Sequence, residues 1–373
     1  MITRSELRKQ SESWLNSLSR AELFENYRIT RIGNVTGLDV LGVPVYTACR
    51  PASKTVSINA GKSLDPKKAR AGAIAEAIEF ATFENPASET IFYPTPDLDF
   101  PLAKDSEWVP GTLMWQEWVT RYSTGKDELF PSSLIWMVRP EPEPNYFQKS
   151  SNGQSLGRTL HDAFLQAVYE CVERDQAGLR YCSILNLDVW PQRVEFDHEV
   201  TDRCRAAGLK PYFFHCAVDI DLAVYWCIIL DPAWRACGGY GCHSDPAVAA
   251  ERAILEAIQS RGVCIAGARD DLERRGDTFD DQKALLERFE SMPVWYKVPK
   301  YGIDESVGIE LADVLRRLGK WREKIYYKHI DLGEIHAVKV VVLGFEQPRL
   351  RHWRSTRWHK LHAQYSSAQA CTV

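Results

Sequence analysis

The sequence predicts an α/β chain, with α+β left open, in which strand groups alternate with helices around one centre. Three observations predict it. First, one helical pattern is written three times, with Ala at i and i+4, Glu at i+7 and Glu or Gln at i+10. The copies are Ala69, Ala73, Glu76, Glu79; Ala163, Ala167, Glu170, Glu173; and Ala249, Ala253, Glu256, Gln259. Ala and Glu each make up less than about 10% of ordinary chains, so a start position matches by chance on the order of once in 10⁴. Second, Asp65-Pro66 and Asp245-Pro246 precede the first and third copies, and Asp as N-cap with Pro at the first helical position marks a helix start. Thr159 serves the second copy. Third, runs rich in aromatic and β-branched residues separate the helices.

At about 100° per residue, the pattern keeps to one side of a helix. The two alanines border the acidic stripe, where a small side chain lets another backbone come close. A solvated acidic face would explain any single copy. Recurrence of the same spacing at intervals of around 90 residues favours three equivalent helices that bring acidic groups to one site.

Along the chain, Ser5 to Tyr27 reads as an amphipathic helix and Tyr27 to Arg50 as two short strands, Gly37-Leu38-Asp39 leading through a tight turn to Leu41–Val45. Lys54 to Asn59 alternates as a strand before the first repeated helix. Residues 86–150 are proline-rich with short strands such as Ser133 to Val138. After the second repeated helix, Lys210 to Ala217 and Leu222 to Leu230 are strand candidates, and Cys237 to Cys242 brackets a glycine turn. Beyond the third, Asp270 to Phe289 is a charged helical stretch, Ile309 to Leu318 a helix, and Tyr326 to Asp331 and His336 to Val342 the last strands. No linker cuts the chain, so residues 1–373 are read as one domain whose motif-bearing core runs from about 30 to 265.

Glycines lie upstream of each repeated helix: Gly61; Gly153 and Gly157; Gly238, Gly239 and Gly241. As turns running into helix N-termini they would suit a phosphate. None carries the Gly-Lys-Ser/Thr ending of a P-loop at the right spacing, which argues against a Walker-type NTPase.

Composition excludes further classes. A net charge of −4 gives no electrostatic case for nucleic acid. The Arg/Trp/His-rich segment Arg349–Lys360 is read as a surface for a peptide or protein, or as an anchored tail. No apolar run approaches the roughly 18 residues of a membrane span, and no signal peptide opens the chain, so a cytoplasmic protein is expected with no membrane partner. The ten cysteines lack Cys-x-x-Cys pairs and read as buried apolar groups rather than a zinc site or a disulfide scaffold.

Five stretches resemble the YcaO superfamily: Thr36-Gly37-Leu38-Asp39 with Leu41–Val45; Gly61-Lys62 through Glu79; Ser151–Gly157; Glu170–Asp175; and Arg252–Arg261. The resemblance implies a YcaO-like fold whose strand-helix units converge on a central ATP and Mg²⁺ site. It implies metal-binding roles for Glu76, Glu79, Asp162, Glu170, Glu173 and Glu256, and nucleotide contacts for Ser155, Arg174, Arg252 and Gln259. Two positions depart from the family pattern: Gly72 stands where Ser is common, and Arg158 where Asn is frequent.

The activity so implied is ATP-dependent phosphorylation of a peptide backbone amide. An external sulfide would yield a thioamide; a Cys, Ser or Thr side chain would yield an azoline by cyclodehydration. The Thr-Gly-Leu-Asp and Gly-Lys sections look most like members encoded beside a TfuA-type partner, and the chain ends without the Pro-x-Pro-x-Pro tail of many azoline-forming members. Thioamide formation on a ribosomally made peptide or protein is therefore the preferred expectation, with a TfuA-like protein recruiting substrate. An azoline-forming cyclodehydratase and an ATP-binding scaffold subunit remain alternatives, and a homodimer is left open. No enzyme nucleophile is expected.

Overall fold

A computed structural model describes residues 3–345 apart from 87–89, 104–105, 139–143, 145, 148, 188, 232–235, 268–278 and 300–306. The segment Arg349–Lys360 and the Asp270–Thr278 part of the charged helical stretch lie outside the described residues.

The single helix expected at the N-terminus is two, α1 (Arg4–Ser17) and α2 (Arg20–Tyr27). Ser19 divides them. Its hydroxyl accepts from the Glu22 amide while the Glu22 carboxylate accepts from its own, a capping box that starts a new helix. β1 (Arg31–Asn34), β2 (Val45–Cys49) and β3 (Ile58–Lys62) form an antiparallel three-stranded sheet before α3 (Pro66–Phe83). The first strands thus lie outside the Thr-Gly-Leu-Asp motif. Thr36–Leu38 is a 3-10 turn, closed by the Thr36 hydroxyl accepting from the Val45 amide.

β4 (Ile91–Pro94), β5 (Leu113–Arg121) and β6 (Asp127–Pro131) follow, then α4 (Ser132–Ile135). A strand was expected at Ser133–Val138. The Trp136 amide instead closes back on the Ser132 carbonyl and makes a helical turn. β7 (Gln154–Gly157) leads into α5 (Leu160–Leu187). Next come β8 (Gln192–Glu195), α6 (Glu199–Ala206), β9 (Lys210–His215), β10 (Ala223–Leu230), β11 (Cys237–His243) and α7 (Pro246–Ile265). The described chain ends with α8 (Phe279–Ser291), β12 (Val294–Lys297), α9 (Val307–Leu318), β13 (Ile325–Asp331) and β14 (His336–Val342).

Two larger sheets run β11-β10-β9-β8-β12 and β4-β5-β13-β14-β7, with β6 also paired to β5. β3, β7 and β11 are therefore each an edge strand, and each directly precedes one repeated helix. The caps form as the sequence indicates: Asp65 accepts from the Lys67 amide, Asp245 from Ala247 and Thr159 from Asp162.

The glycines that read as phosphate turns lie in or beside these edge strands, and their role is steric. A Cβ on Gly61 would sit 2.1 Å from the Ala69 carbonyl oxygen and 2.2 Å from the Ala73 nitrogen. On Gly157 it would sit 2.4 Å from the Ala163 nitrogen, and on Gly241 2.1 Å from the Ala249 carbonyl oxygen. Gly239 presses on Ala253 and Ala257 in the same way. Small residues on the helix and glycine on the strand let the two backbones touch, as the fully buried Ala69, Ala73, Ala163, Ala167, Ala249 and Ala253 require. Each helix also rests on the next unit's edge strand: α3 on β7, α5 on β11 and α7 on β3. The three units close a ring.

Candidate functional site

The ring surrounds a cavity of about 1490 Å³. Its wall carries Glu76 and Glu79 from α3, Asp162, Glu170, Glu173 and Arg174 from α5, and Arg252, Glu256 and Gln259 from α7. Nine of the ten residues singled out from sequence thus face one space. Ser155 does not. It is 2% exposed between β14 and the wall, with its hydroxyl 3.4 Å from the Leu156 carbonyl, while its neighbours Gln154 and Leu156 line the cavity.

Edge strands leave N–H groups without a ladder partner, and the acidic side chains meet two of them. Glu76 Oε2 accepts from the Ala60 amide of β3 at 2.9 Å, and Glu79 Oε1 from the Leu156 amide of β7 at 3.0 Å. These bonds tie α3 to two sheets and fix both carboxylates at the cavity wall.

The electrostatics are those of crowded acids. Burial, then Glu170 and Glu76, hold the Glu79 carboxyl well above the usual carboxylate range. Burial pushes Glu170 up to about 7, although Arg174 and Lys339 draw it back. Burial and Glu256 push Glu173 up to about 7. Arg174 bridges the helices, its Nε 3.7 Å from Glu173 and its Nη2 3.8 Å from Glu256. Burial opposes its charge, but Glu256, Glu173 and Glu170 together hold it above the ordinary arginine value.

Arginines lie beside these acids. Arg252 donates to the Cys242 carbonyl at 3.2 Å and to Gln166 Oε1 at 3.0 Å. Burial and the neighbouring Arg4 lower its pKa. Arg8 from α1 also lines the cavity, and burial together with Arg4 and Arg252 brings it down to about 9. Asp162 Oδ1 accepts from the buried Arg4 Nε at 3.2 Å, while the residue also lines the cavity.

Acidic and basic side chains therefore line one cavity together. Among the described residues no three His, Cys, Asp or Glu side chains are gathered closely enough to hold a metal alone. Mg²⁺ requires no such cluster, since it takes one or two carboxylates and completes its oxygen shell from water and phosphate. Buried polar atoms without a protein partner also lie on the wall: Gln259 Oε1, Asn152 Oδ1, both polar atoms of Gln154 and Ser11 Oγ. Such atoms call for a polar ligand or water.

Arg8, Lys62, Lys68, Gln166 and Tyr240 line the cavity without having been singled out from sequence. Lys62 and Lys68 flank the Asp65-Pro66 cap, a signal that was available. Arg8 carried none, because α1 reaches the ring only through tertiary packing.

The family model described as YcaO cyclodehydratase, ATP- and Mg²⁺-binding, matches residues 60–346. An uncharacterized protein in the tfuA 3′ region of Rhizobium leguminosarum bv. trifolii is 33% identical over 296 residues, covering 70% of this chain and 69% of that protein. The solved structure of YcaO from Methanopyrus kandleri bound with AMPPCP and Mg²⁺ superposes with a TM-score of 0.73 at 19% identity, covering 91% of this chain and 92% of that one. A heterocyclase in complex with substrate and cofactor superposes with a TM-score of 0.65 at 16% identity, covering 88% of this chain and 52% of the heterocyclase. At such identities these two structures speak for the fold alone.

Proposed function

The chain belongs to the YcaO family, and from that premise we propose that it is an ATP-dependent enzyme that phosphorylates a peptide backbone amide, replacing the amide oxygen by sulfur. The observation that carries the reading is the cavity itself, whose wall gathers glutamates from three helices together with Arg174 and Arg252. Glu76, Glu79, Glu170, Glu173 and Glu256 would hold Mg²⁺, which would supply positive charge to offset that of the carboxylates and a phosphate. Arg174 and Arg252 present planar, permanently charged forks to phosphate oxygens. Gln259 and Gln154 offer unpartnered polar atoms from two sides of the wall.

The chemistry needs no nucleophile from the protein. Hydrosulfide adds to the amide carbonyl, the resulting oxyanion takes the γ-phosphoryl group of ATP, and ADP leaves. Expulsion of phosphate carries the former amide oxygen away and leaves the thioamide. Charge gathers on phosphoryl and amide oxygens throughout, which fixed guanidinium groups stabilise without reorganising. The cysteines Cys171, Cys216, Cys227 and Cys242 are buried, and burial pushes their thiols up, as expected of packing groups.

The preference for sulfur rests on the relative in the tfuA 3′ region, and a TfuA-type protein is the partner proposed to bring the peptide. The test is peptide mass spectrometry of cells that encode the chain, with and without its gene. The expected result is a peptide heavier in the parent cells by one oxygen-to-sulfur exchange. A peptide lighter by one water would assign azoline formation instead. Absence of any modified peptide, with Mg²⁺-dependent ATP binding retained, would favour a scaffold subunit.

A further inference from the structure

Arg4 lies in the first turn of α1 and is 3% exposed, a position that a charge occupies only when its donors are met. Its Nε donates to Asp162 Oδ1 at 3.2 Å, its Nη1 to Glu310 Oε1 at 2.8 Å and its Nη2 to Gln166 Oε1 at 2.9 Å. Glu310, on α9, also accepts from the Tyr169 hydroxyl at 2.8 Å and lies 3.2 Å from His243 Nε2. One guanidinium thus joins α1 to α5 and α9. Arg4 itself does not line the cavity.

Gln166 passes the arrangement on. The oxygen that accepts from Arg4 also accepts from Arg252 Nη2 at 3.0 Å and lies 3.4 Å from Arg8 Nη2. Arg4 and Arg252 stand over the same Tyr169 ring, their guanidinium carbons 5.4 and 5.8 Å from its centroid. Of five guanidinium donors, Arg252 directs one to Gln166 and one to the Cys242 carbonyl, which fixes its plane at the cavity wall.

We propose that Arg4 is a positioning residue, which through Gln166 and the Tyr169 ring sets the orientation of the Arg252 guanidinium at the cavity. The proposal rests on the reading of Arg252 as a phosphate contact. Without Arg4, Asp162 and Glu310 become buried charges without their counter-ion. Asp162 stands one helical turn from Gln166 on α5 and would then compete for Arg252 against a phosphate.

The test has two arms. In nucleotide-free protein, the Arg252 side-chain Nε–H resonance is assigned by its loss in Arg252→Lys. Arg4→Lys, which keeps one charge but cannot reach three acceptors, is expected to shift that resonance and speed its exchange about tenfold. In calorimetry with AMPPCP and Mg²⁺, Arg4→Ala and Arg252→Ala are each expected to weaken binding about tenfold or more while adenosine binding is unchanged. The double variant should bind no more weakly than Arg252→Ala alone, because the two act as one unit. Additive losses, or an unmoved Arg252 resonance in Arg4→Lys, overturn the positioning role. Wild-type protein that fails to bind AMPPCP overturns the nucleotide reading, and the resonance then decides the role of Arg4.

Discussion

Glu170→Ala and Glu256→Ala are expected to weaken Mg²⁺-dependent ATP binding by at least about 100-fold, since groups that merely support metal ligands already account for 10–100-fold. The two residues reach the cavity from different helices, so loss in both variants reports the convergence of the helices rather than damage to one. Stability should move the other way. The Glu170 carboxyl titrates at about 7 against an ordinary 4.5, because burial and its acidic neighbours disfavour the charge. Between those values the folded chain holds a proton that the unfolded chain has released, so this group's contribution to stability falls as pH rises through the window. Glu170→Ala removes that penalty. Its melting temperature should therefore gain more relative to wild type at about pH 8 than at about pH 5. Calorimetric titration and thermal melts on the same samples check both halves. Tight ATP binding by either folded variant contradicts the assignment.

Gly241→Ala and Gly61→Ala are expected to destabilise the protein by more than about 4 kcal/mol, the range reached only by severe steric or cavity defects. In each case a Cβ would stand 2.1 Å from a helix carbonyl oxygen, and the obstacle is backbone that no rotamer change can move. The neighbouring helix would have to lift from its edge strand and carry its carboxylates with it. Gly37→Ala is the control, because nothing lies within 4 Å of a Cβ there and its φ is not positive; it should stay within about 1 kcal/mol of the parent. Urea unfolding compares the three, and equal midpoints would contradict the steric reading.

How far the site could be read from sequence follows from the range of the forces that build it. The Asp-Pro starts and the Ala/Glu spacing are local rules, and they located α3, α5 and α7 with their acidic faces. The Ser19–Glu22 capping box was equally local, but it was hidden inside an amphipathic run that read as one helix. β11 was misread for a different reason. Glycine favours turns on its own, and Gly239 and Gly241 sit in a strand where the α7 backbone leaves no room for a side chain. The motif residue Asp39 shows the same limit. Its two carboxylate oxygens share the Arg261 Nε–H, at 2.9 and 3.1 Å, anchoring the Thr36–Leu38 turn to α7 across 222 residues of sequence. Arg4 and Ser155 needed the tertiary structure altogether: one is drawn in by three distant acceptors, the other turned away from the wall by its place in β7.

Diffraction from crystals grown with AMPPCP and Mn²⁺ in place of Mg²⁺ tests the central claim most directly, because manganese scatters anomalously and reports its own position. The expected result is manganese within about 2.0–2.3 Å of carboxylate oxygens contributed by more than one of α3, α5 and α7, with phosphate oxygens completing its shell and Arg174 and Arg252 on the triphosphate. Nucleotide bound elsewhere on the chain, with no anomalous density among Glu76, Glu79, Glu170, Glu173 and Glu256, would contradict it.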